Sequence, residues 1–548
     1  MHPSDLLLPA AEVNVPYAQK KGSSRTNSGV APYTGTFGKE ELVHLLKRTM
    51  FGAKQSDIHY FSGKTLTNVV NELLTVGTPP SPPLKNYTSA DDNANVAFGT
   101  TWVNAPFVVT LQADRILSLK SWWFGQMLNQ GRSIEEKMVL FWQNHFSTEL
   151  SIYEDARFGY KYLSSLRQHC LGDFKAMVKA ITLEPAMLVY LNGYLNTKGA
   201  PDENYARELQ ELFTMGKGPN SQYIEDDVKA AAKVLTGYDR DYTNITYVFN
   251  PARHETSNKT FSAFYNNTVI TGKSGAAGEQ ELDDLLTMIF NQDEVANYIC
   301  RCIYRFFIYY EIDASVETHV IAPLADTFRT NNYQIAPVIT QLLMSEHFFD
   351  MLNRGCMIKS PIDFMAGFAR EVNLAYPTSA DVAAQYSLWF ITGYYAASMQ
   401  QEVLDPPSVS GWPAYYQAPA FHELWINSDT LPKRNQITDF LLYSGYTQNG
   451  FTLTLDTLAC AAQYSDPSDP NILVNEALQQ MYTIQVSAAV KLYLKTILLS
   501  GQSQDYYWTN AWLDYINNPT DAAKVNIVKQ RLQYMFKYIM NLAEYQLC

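Results

Sequence analysis

The chain is poor in charge. Only 17% of its 548 residues are Asp, Glu, Lys or Arg, and no stretch is strongly basic. Lys and Arg number 41 against 54 Asp and Glu, which gives a formal net charge of −13. Nucleic-acid backbones are held mainly by Lys and Arg, so the composition argues against a nucleic acid as partner. Hydrophobic residues make up 47%, enough for a full core, which excludes a disordered chain and a coiled coil.

Closely spaced cysteine pairs of the metal-binding kind are missing. Six cysteines are scattered between residues 170 and 548, and only Cys300 and Cys302 are near each other. A helix splays residues at that spacing apart. Structural zinc sites normally use C-x-x-C pairs. We therefore expect six free thiols, no structural zinc site of the usual kind and no thiol nucleophile.

The first residues do not resemble a secretory leader, and no uninterrupted apolar segment is long enough to cross a membrane. Its first ten residues have neither the charged start nor the run of about 7 to 15 apolar residues of a leader. The longest uncharged stretch, residues 382–401, is long enough to span a bilayer but contains Gln, Ser, Thr and Gly. Hydrocarbon does not accommodate that many polar groups. We expect a soluble protein without a membrane span, which by itself indicates the cytoplasm.

Helical periodicity dominates from residue 37 onward. Residues 1–36 are polar and rich in Pro, Gly and Ser, which predicts an extended arm. Apolar residues at i, i+3, i+4 and i+7 predict helices at residues 40–49, 111–128, 133–146, 202–215, 226–237 and from 521 almost to the end. Short alternating segments between Asn and Gly residues predict strands at about 239–273. The predicted fold is mainly α: one large multi-helical domain, residues 37–548, with a small β-hairpin insertion.

Eight segments carry distinctive residue patterns in a fixed order. They are residues 44–53, 137–146, 203–216 and 225–237, His254 with Lys259, and residues 358–361, 406–413 and 544–547. Together they resemble a large bacterial family catalogued as domain of unknown function 1800, over about residues 36 to 547. Two positions depart from the family pattern: Gln143 stands where the family often has His, and Glu255 where it usually has Asp.

This resemblance implies a partner more than a reaction. The family has no established reaction, and its genes commonly lie beside those of a second family. That neighbour has a sulfatase-like, alkaline-phosphatase-type fold and carries a twin-arginine export signal. A folded chain without its own signal can leave the cytoplasm bound to a partner that carries one. The resemblance therefore implies a hetero-complex located in the cell envelope or periplasm.

His145 is the first candidate site residue. Ser133 and Glu136 form a capping-box pattern that fixes the start of its helix. With Ile134 at zero on the helical wheel, His145 falls at about 20°, in the middle of the apolar stripe. It is either a core histidine with both nitrogens satisfied or a ligand or base.

Two acidic residues on the helix predicted at 202–215 are the next candidates. Asn204, Glu208 and Glu211 cluster on one flank, and Met215 falls between Asn204 and Glu208 on the wheel. We therefore expect that flank to be covered. Two carboxylates three residues apart in a covered site raise each other's pKa or need a cation. The alternative is an ordinary helix face on which Glu203 and Glu211 pair with Arg207.

Two loops complete the set. His254 follows Phe249-Asn-Pro in the predicted insertion, where no apolar face explains a histidine, and it is either functional or a turn residue. Lys259 could meet an anionic substrate or an internal carboxylate. The loop at residues 406–413 places Trp412 among prolines and before two tyrosines. It either stacks on a sugar or peptide or plugs one end of the helical core.

Two classes of function remain open. The favoured hypothesis is a non-catalytic partner or assembly subunit, because the weakly charged surface has 37 Tyr to contact protein or carbohydrate. The partner is the sulfatase-like neighbour, and the loop around Trp412 is a candidate part of the interface. The alternative is a metal-assisted, hydrolase-type enzyme in which His145, Glu208, Glu211 and His254 converge on a divalent metal. Oxygen and imidazole ligands suit Zn, Mn or Fe.

Overall fold

Helices follow one another from Lys39 almost to the end of the chain in the computed structural model, which describes residues 25–93 and 95–548. The first twelve are α1 (Lys39–Thr49), α2 (Gln55–Phe61), α3 (Leu66–Leu73), α4 (Ala90–Asn93), α5 (Gln112–Asn129), α6 (Glu135–His145), α7 (Leu150–Tyr153), α8 (Ala156–His169), α9 (Phe174–Leu183), α10 (Pro185–Tyr190), α11 (Asn204–Glu208) and α12 (Glu225–Val234).

The second half of the chain is helical as well. Its helices are α13 (Glu281–Phe290), α14 (Asp293–Phe307), α15 (Ala314–Val316), α16 (Ala322–Thr330), α17 (Ile335–Leu343), α18 (Glu346–Phe349), α19 (Pro361–Glu371), α20 (Val382–Ser398), α21 (Thr430–Tyr443), α22 (Thr457–Ala461), α23 (Pro470–Met481), α24 (Ala488–Leu498), α25 (Tyr506–Asn517) and α26 (Ala522–Asn541). Two segments, Leu209–Thr214 and Glu317–Ile321, are π-helical.

Short 3₁₀ turns connect many of these helices. They are Val109–Leu111, Gly193–Leu195, Pro251–Arg253, Ala263–Tyr265, Gly275–Gln280, Met351–Asn353, Pro413–Tyr415, Phe421–Trp425 and Ala543–Gln546. Among the described helices, none combines the length and the apolar character that crossing a bilayer requires. The mainly α prediction is therefore confirmed.

Three antiparallel hairpins make up the sheet structure of the described residues. β1 (Tyr238–Asp241) pairs with β2 (Thr246–Phe249), and β3 (Lys259–Thr260) pairs with β4 (Val269–Ile270). Both lie in the region where the sequence predicts an insertion. A third hairpin, β5 (Tyr446–Gln448) with β6 (Phe451–Leu453), was not predicted. Its turn is Asn449-Gly450, with φ of 50° and 80°, the two-residue turn that matches the twist of paired strands.

The last helix follows its sequence pattern closely. The Asp521 side chain accepts hydrogen bonds from the backbone N–H groups of Ala523 and Lys524, which fixes the N-terminus of α26. The predicted stripe is buried at Val528, Leu532 and Met535 and continues to Ile539. This stripe packs against α21, α22, α24 and α25. Buried apolar residues from Leu42 to Tyr545 form one continuous core.

The start of α6 differs in detail from the predicted capping box. The backbone N–H of Glu135 lies 3.2 Å from Ser133 Oγ, but Glu136 does not turn back to complete the box. Its carboxylate instead accepts hydrogen bonds from Arg167 at 2.8 Å and from the Trp123 indole at 3.0 Å. A buried ion pair outcompetes the local cap because Glu136 faces the interior.

The predicted N-terminal arm is described only from residue 25. Residues 1–24 lie outside the described part of the chain. Tyr33 donates its backbone N–H to Met344 at 2.8 Å, and the Arg25 guanidinium lies 3.7 Å from the centre of the Tyr309 ring. The described end of the arm therefore packs on the helical body.

Candidate functional site

His145, the last residue of α6, lies on the buried side of the helix, as the helical wheel predicts. The residue is only 9% exposed, and its Nε2 lies 3.1 Å from the carbonyl oxygen of Phe213. A carbonyl only accepts hydrogen bonds, so we assign the ring proton to Nε2. Burial lowers the pKa of His145 to about 4, so the imidazole is neutral at pH 7. Its Nδ1 then carries a lone pair that can accept a hydrogen bond.

A cleft of about 150 Å³ opens beside the His145 ring, and we call it the His145 cleft. α6 contributes His145, the π-helical segment contributes Leu212, and α14 contributes Tyr298 and Arg305. The loop that follows Pro406 forms another wall and contributes Ser410. Four separate elements thus converge on one small cleft.

The proline-rich loop is fixed against the end of α6. The backbone N–H of Trp412 donates to Asn144 Oδ1 at 2.9 Å. Gly411 has a φ of +84°, and a Cβ atom there would lie 2.3 Å from the same Asn144 oxygen. Only glycine allows this approach. Trp412 is 1% exposed, so its side chain packs within the chain and is not available to a sugar, a peptide or a partner.

A π-helical segment changes the geometry of the predicted helix at residues 202–215. The Met215 N–H donates to Gln210, five residues back, at 3.1 Å, and Thr214 Oγ1 donates to Leu209 at 2.5 Å. A π-turn holds more residues than an α-turn. The positions of Glu211 and later residues therefore depart from a wheel drawn at 100° per residue.

The acidic flank is less covered than predicted. Asn204 is exposed, which corrects the prediction that it is buried, because it begins α11 at the surface. Glu208 and Glu211 are half-buried. Glu211 pairs with Lys217 at 2.8 Å. Desolvation, and then the nearby Glu211 charge, raise the pKa of Glu208.

Arg207 on the same helix is a structural ion-pair residue. Its guanidinium lies 3.1 Å from Glu203 and 2.5 Å from Glu225, so it joins α11 to α12. Of the ion pairs expected for an ordinary helix face, the one with Glu203 forms. The one with Glu211 does not, because Glu211 pairs with Lys217.

His254 belongs to a buried charge network and not to an open loop. It is 1% exposed, its Nδ1 lies 2.8 Å from the Thr236 carbonyl oxygen, and its Nε2 lies 3.1 Å from Glu281 Oε1. Lys259, also 1% exposed, pairs with the other oxygen of Glu281. Of the two roles considered for Lys259, the structure shows the pairing with an internal carboxylate, that of Glu281. The network ties the segment between the two hairpins and the strand β3 to the start of α13.

The structure does not bring the four candidate metal ligands together. His145 contacts the backbone of Phe213, Glu211 contacts Lys217, and His254 contacts Glu281. Within residues 25–93 and 95–548, no group of three His, Cys, Asp or Glu side chains is placed to hold one metal ion. The wheel placed the flank with Glu208 and Glu211 inward because it treated Leu209–Thr214 as regular α-helix.

Comparison with known proteins gives one match. Residues 44–547 match the family described as protein of unknown function (DUF1800). The chain belongs to this family. No curated protein and no solved structure matches it.

The DUF1800 segments recognised in the sequence account for three of the four walls of the His145 cleft. His145 lies in the 137–146 segment, Leu212 in the 203–216 segment, and Ser410 in the 406–413 segment. Segments far apart along the chain meet at this point. The cleft is therefore one place in the structure where segments typical of this family meet.

The fourth wall comes from α14, which sequence reasoning missed. Tyr298 donates to the Leu212 carbonyl at 3.0 Å, and Cys302 and Arg305 follow it on the same side of the helix. Burial raises the pKa of the Cys302 thiol, so it stays protonated at neutral pH. The spacing of these three residues, at i, i+4 and i+7, was the available signal. It was hidden because the tyrosine and the cysteine also fit a buried helix face.

Proposed function

We propose that the chain is a non-catalytic partner subunit of a hetero-complex. The observation that carries this proposal is a set of exposed aromatic side chains on neighbouring elements, which we call the aromatic face. Its members are 37% to 60% exposed. They are Phe390, Tyr394, Phe440, Tyr443, Phe451 and Tyr534.

Direct contacts hold the elements of the aromatic face together. The side chain of Asn449 in the third hairpin donates to Ser387 of α20 at 3.4 Å. Lys433 of α21 donates to the carbonyl of Ser398 at the end of α20 at 3.0 Å. Lys537 of α26 pairs with Asp439 of α21. The aromatic side chains therefore project from a connected part of the fold.

Side chains of this type favour a protein partner. Tyrosine and phenylalanine are enriched in protein interfaces, and clustered exposed apolar side chains often mark interaction sites. Only 17% of the residues are charged, which leaves much of the surface to uncharged side chains such as tyrosine. The sulfatase-like neighbour implied by the family is the partner we propose. A carbohydrate or a peptide is the competing ligand, because aromatic faces also stack on sugars.

The same partner would explain a location in the cell envelope. Few charges together with abundant Tyr, Asn and Thr give a composition seen more often in exported proteins. Binding before export to a partner with a twin-arginine signal would carry the folded chain across the membrane. A cytoplasmic complex is the competing location, and fractionation of native cells distinguishes the two.

Variants of the aromatic face test the proposal. A tagged chain carrying Tyr394→Glu and Phe451→Glu is purified from native cells beside the wild type. The matched control is Phe98→Glu with Leu195→Glu, whose side chains are 48% and 52% exposed outside the face. We expect the wild type and the control to retain the partner and the face variant to lose it. Equal recovery of the partner with all three chains would refute this surface as the interface.

A metal-assisted enzyme of the hydrolase type is the second candidate. The observation in its favour is His145, a neutral imidazole beside a cleft, with Nδ1 available as a ligand or base. Zn, Mn and Fe all accept imidazole ligands. Metal analysis of the purified wild type and of His145→Gln tests it. Stoichiometric metal that disappears in the variant would favour this candidate over the partner subunit.

A further inference from the structure

Arg305 differs from its neighbour Arg301 in having no counter-charge. Arg301 pairs with both Glu294 and Glu317. Arg305 makes no ion pair and no hydrogen bond with any residue in the described ranges. Its guanidinium lies 5.9 Å from the centre of the Phe421 ring. Its Nε is buried without an acceptor. A buried donor without an acceptor is unfavourable, so this guanidinium is prepared for a ligand.

The His145 cleft carries a single positive charge. None of the residues that line it is Asp or Glu. His145 is neutral at pH 7, and burial raises the pKa values of Cys302 and Tyr298, so both stay protonated. Arg305 is therefore the only ionised side chain among the lining residues. One monovalent anion would balance it, whereas a phosphate dianion would leave an excess negative charge.

The remaining walls of the cleft are largely aromatic. Phe141, Phe306, Tyr415 and Tyr416 line it beside the polar groups. Sites for small molecules combine apolar walls with a few polar groups that fix the orientation of the ligand. A guanidinium presents two parallel N–H groups that fit the two oxygens of a carboxylate. The Nδ1 of His145 adds one acceptor for a hydroxyl or amide N–H of the ligand.

We propose that the His145 cleft binds a small organic carboxylate with an apolar or aromatic body, and that Arg305 holds the carboxylate. This site is separate from the aromatic face and does not depend on the partner proposal. A free small molecule and an acidic group of a larger ligand share this chemistry. The cleft, at about 150 Å³, limits the part that enters to roughly the size of a single ring.

Benzoate is the probe for the test. Its binding to the purified full chain is measured by isothermal titration calorimetry and by saturation-transfer NMR, with benzamide as the neutral molecule of the same shape. Inorganic sulfate and phosphate are titrated in parallel. We expect benzoate to bind at least tenfold more tightly than benzamide. Equal binding of benzamide, tighter binding of either inorganic anion, or no binding of benzoate would overturn the proposal.

Variants locate the bound probe. Arg305→Gln is expected to weaken benzoate binding at least tenfold, and Arg305→Lys to weaken it less. Arg329→Gln is the control, because Arg329 pairs with the exposed residues Asp326 and Asp293 and does not line the cleft. Benzoate binding that persists unchanged in Arg305→Gln would overturn the assignment.

A second variant, which adds a charge, distinguishes a loss of benzoate binding from a loss of folding. Ser410 lines the same cleft, and Ser410→Asp supplies an internal carboxylate for Arg305. We expect it to abolish benzoate binding and to raise the melting temperature. If Ser410→Asp binds benzoate as tightly as the wild type, the cleft is not the site.

Discussion

Replacing Gly411 by alanine tests how the loop that forms one wall of the His145 cleft is held. The φ of +84° at this position costs an alanine about 1–2 kcal/mol. The new Cβ would also lie 2.3 Å from Asn144 Oδ1 and 2.5 Å from the Asn144 carbonyl oxygen, so the Asn144 side chain has to move. Its hydrogen bond to the Trp412 N–H is then lost, which adds about 1–3 kcal/mol. The total expected loss of stability is about 2–5 kcal/mol.

Gly450→Ala is the matched control for this substitution. Gly450 has a φ of +80° in the turn of the third hairpin, but nothing lies within 4 Å of the Cβ position there. Alanine at residue 450 therefore loses stability only through the left-handed backbone conformation, which costs about 1–2 kcal/mol. Differential scanning calorimetry of the wild type and both variants should show the larger fall in melting temperature for Gly411→Ala. Equal shifts would refute the argument that contact with Asn144 fixes the loop.

Three further predictions concern buried titratable groups, and one of them has a control substitution. Glu281→Ala should destabilise the chain by about 3–5 kcal/mol because it leaves the buried Lys259 without its carboxylate. The control, Asp284→Asn, breaks a partly exposed ion pair and should change stability by under about 1 kcal/mol. Urea unfolding measures both changes in stability. Burial raises the pKa of Glu184 to about 7, so wild-type stability is lost as pH rises from about 4.5 to 7. Glu184→Gln should therefore melt above the wild type at pH 8 and lose that advantage at pH 4. His145 has the opposite sign: its pKa is lowered to about 4, so stability is lost as pH falls from about 6.5 to 4, and His145→Gln should flatten the melting temperature over that range.

Local patterns predicted α1, α5, α6, α12 and α26 closely. The stripe after Asp521 predicted α26 because its apolar residues, its cap and its length all agree. The Asn449-Gly450 turn was present in the sequence, but the strands beside it have only three residues each, too few for a clear alternation. The π-helical segment at Leu209–Thr214 could not be predicted, because it has the same residue pattern as an α-helix. A wheel drawn at 100° per residue therefore misplaces the residues that follow Glu208.

Contacts between distant residues limited what could be said about the site. His145 was placed on the correct face of its helix because one helix is enough to define that face. The partner of His254 is Glu281, in a different element and 27 residues later, and no local pattern joins the two. The helical spacing of Arg305 from Tyr298 and Cys302 was the only signal for it, and that spacing does not reveal the missing counter-charge. Such features depend on the whole fold.

The mass of the particle formed in native cells tests the partner proposal most directly. The chain has a mass of 62.1 kDa. A tagged copy is released gently from the envelope fraction and measured by size-exclusion chromatography with light scattering, followed by identification of its components. We predict a particle well above 62.1 kDa that contains the sulfatase-like neighbour. A tagged chain recovered only from the cytosol, as a single 62.1 kDa species with the neighbouring gene intact, would contradict the account.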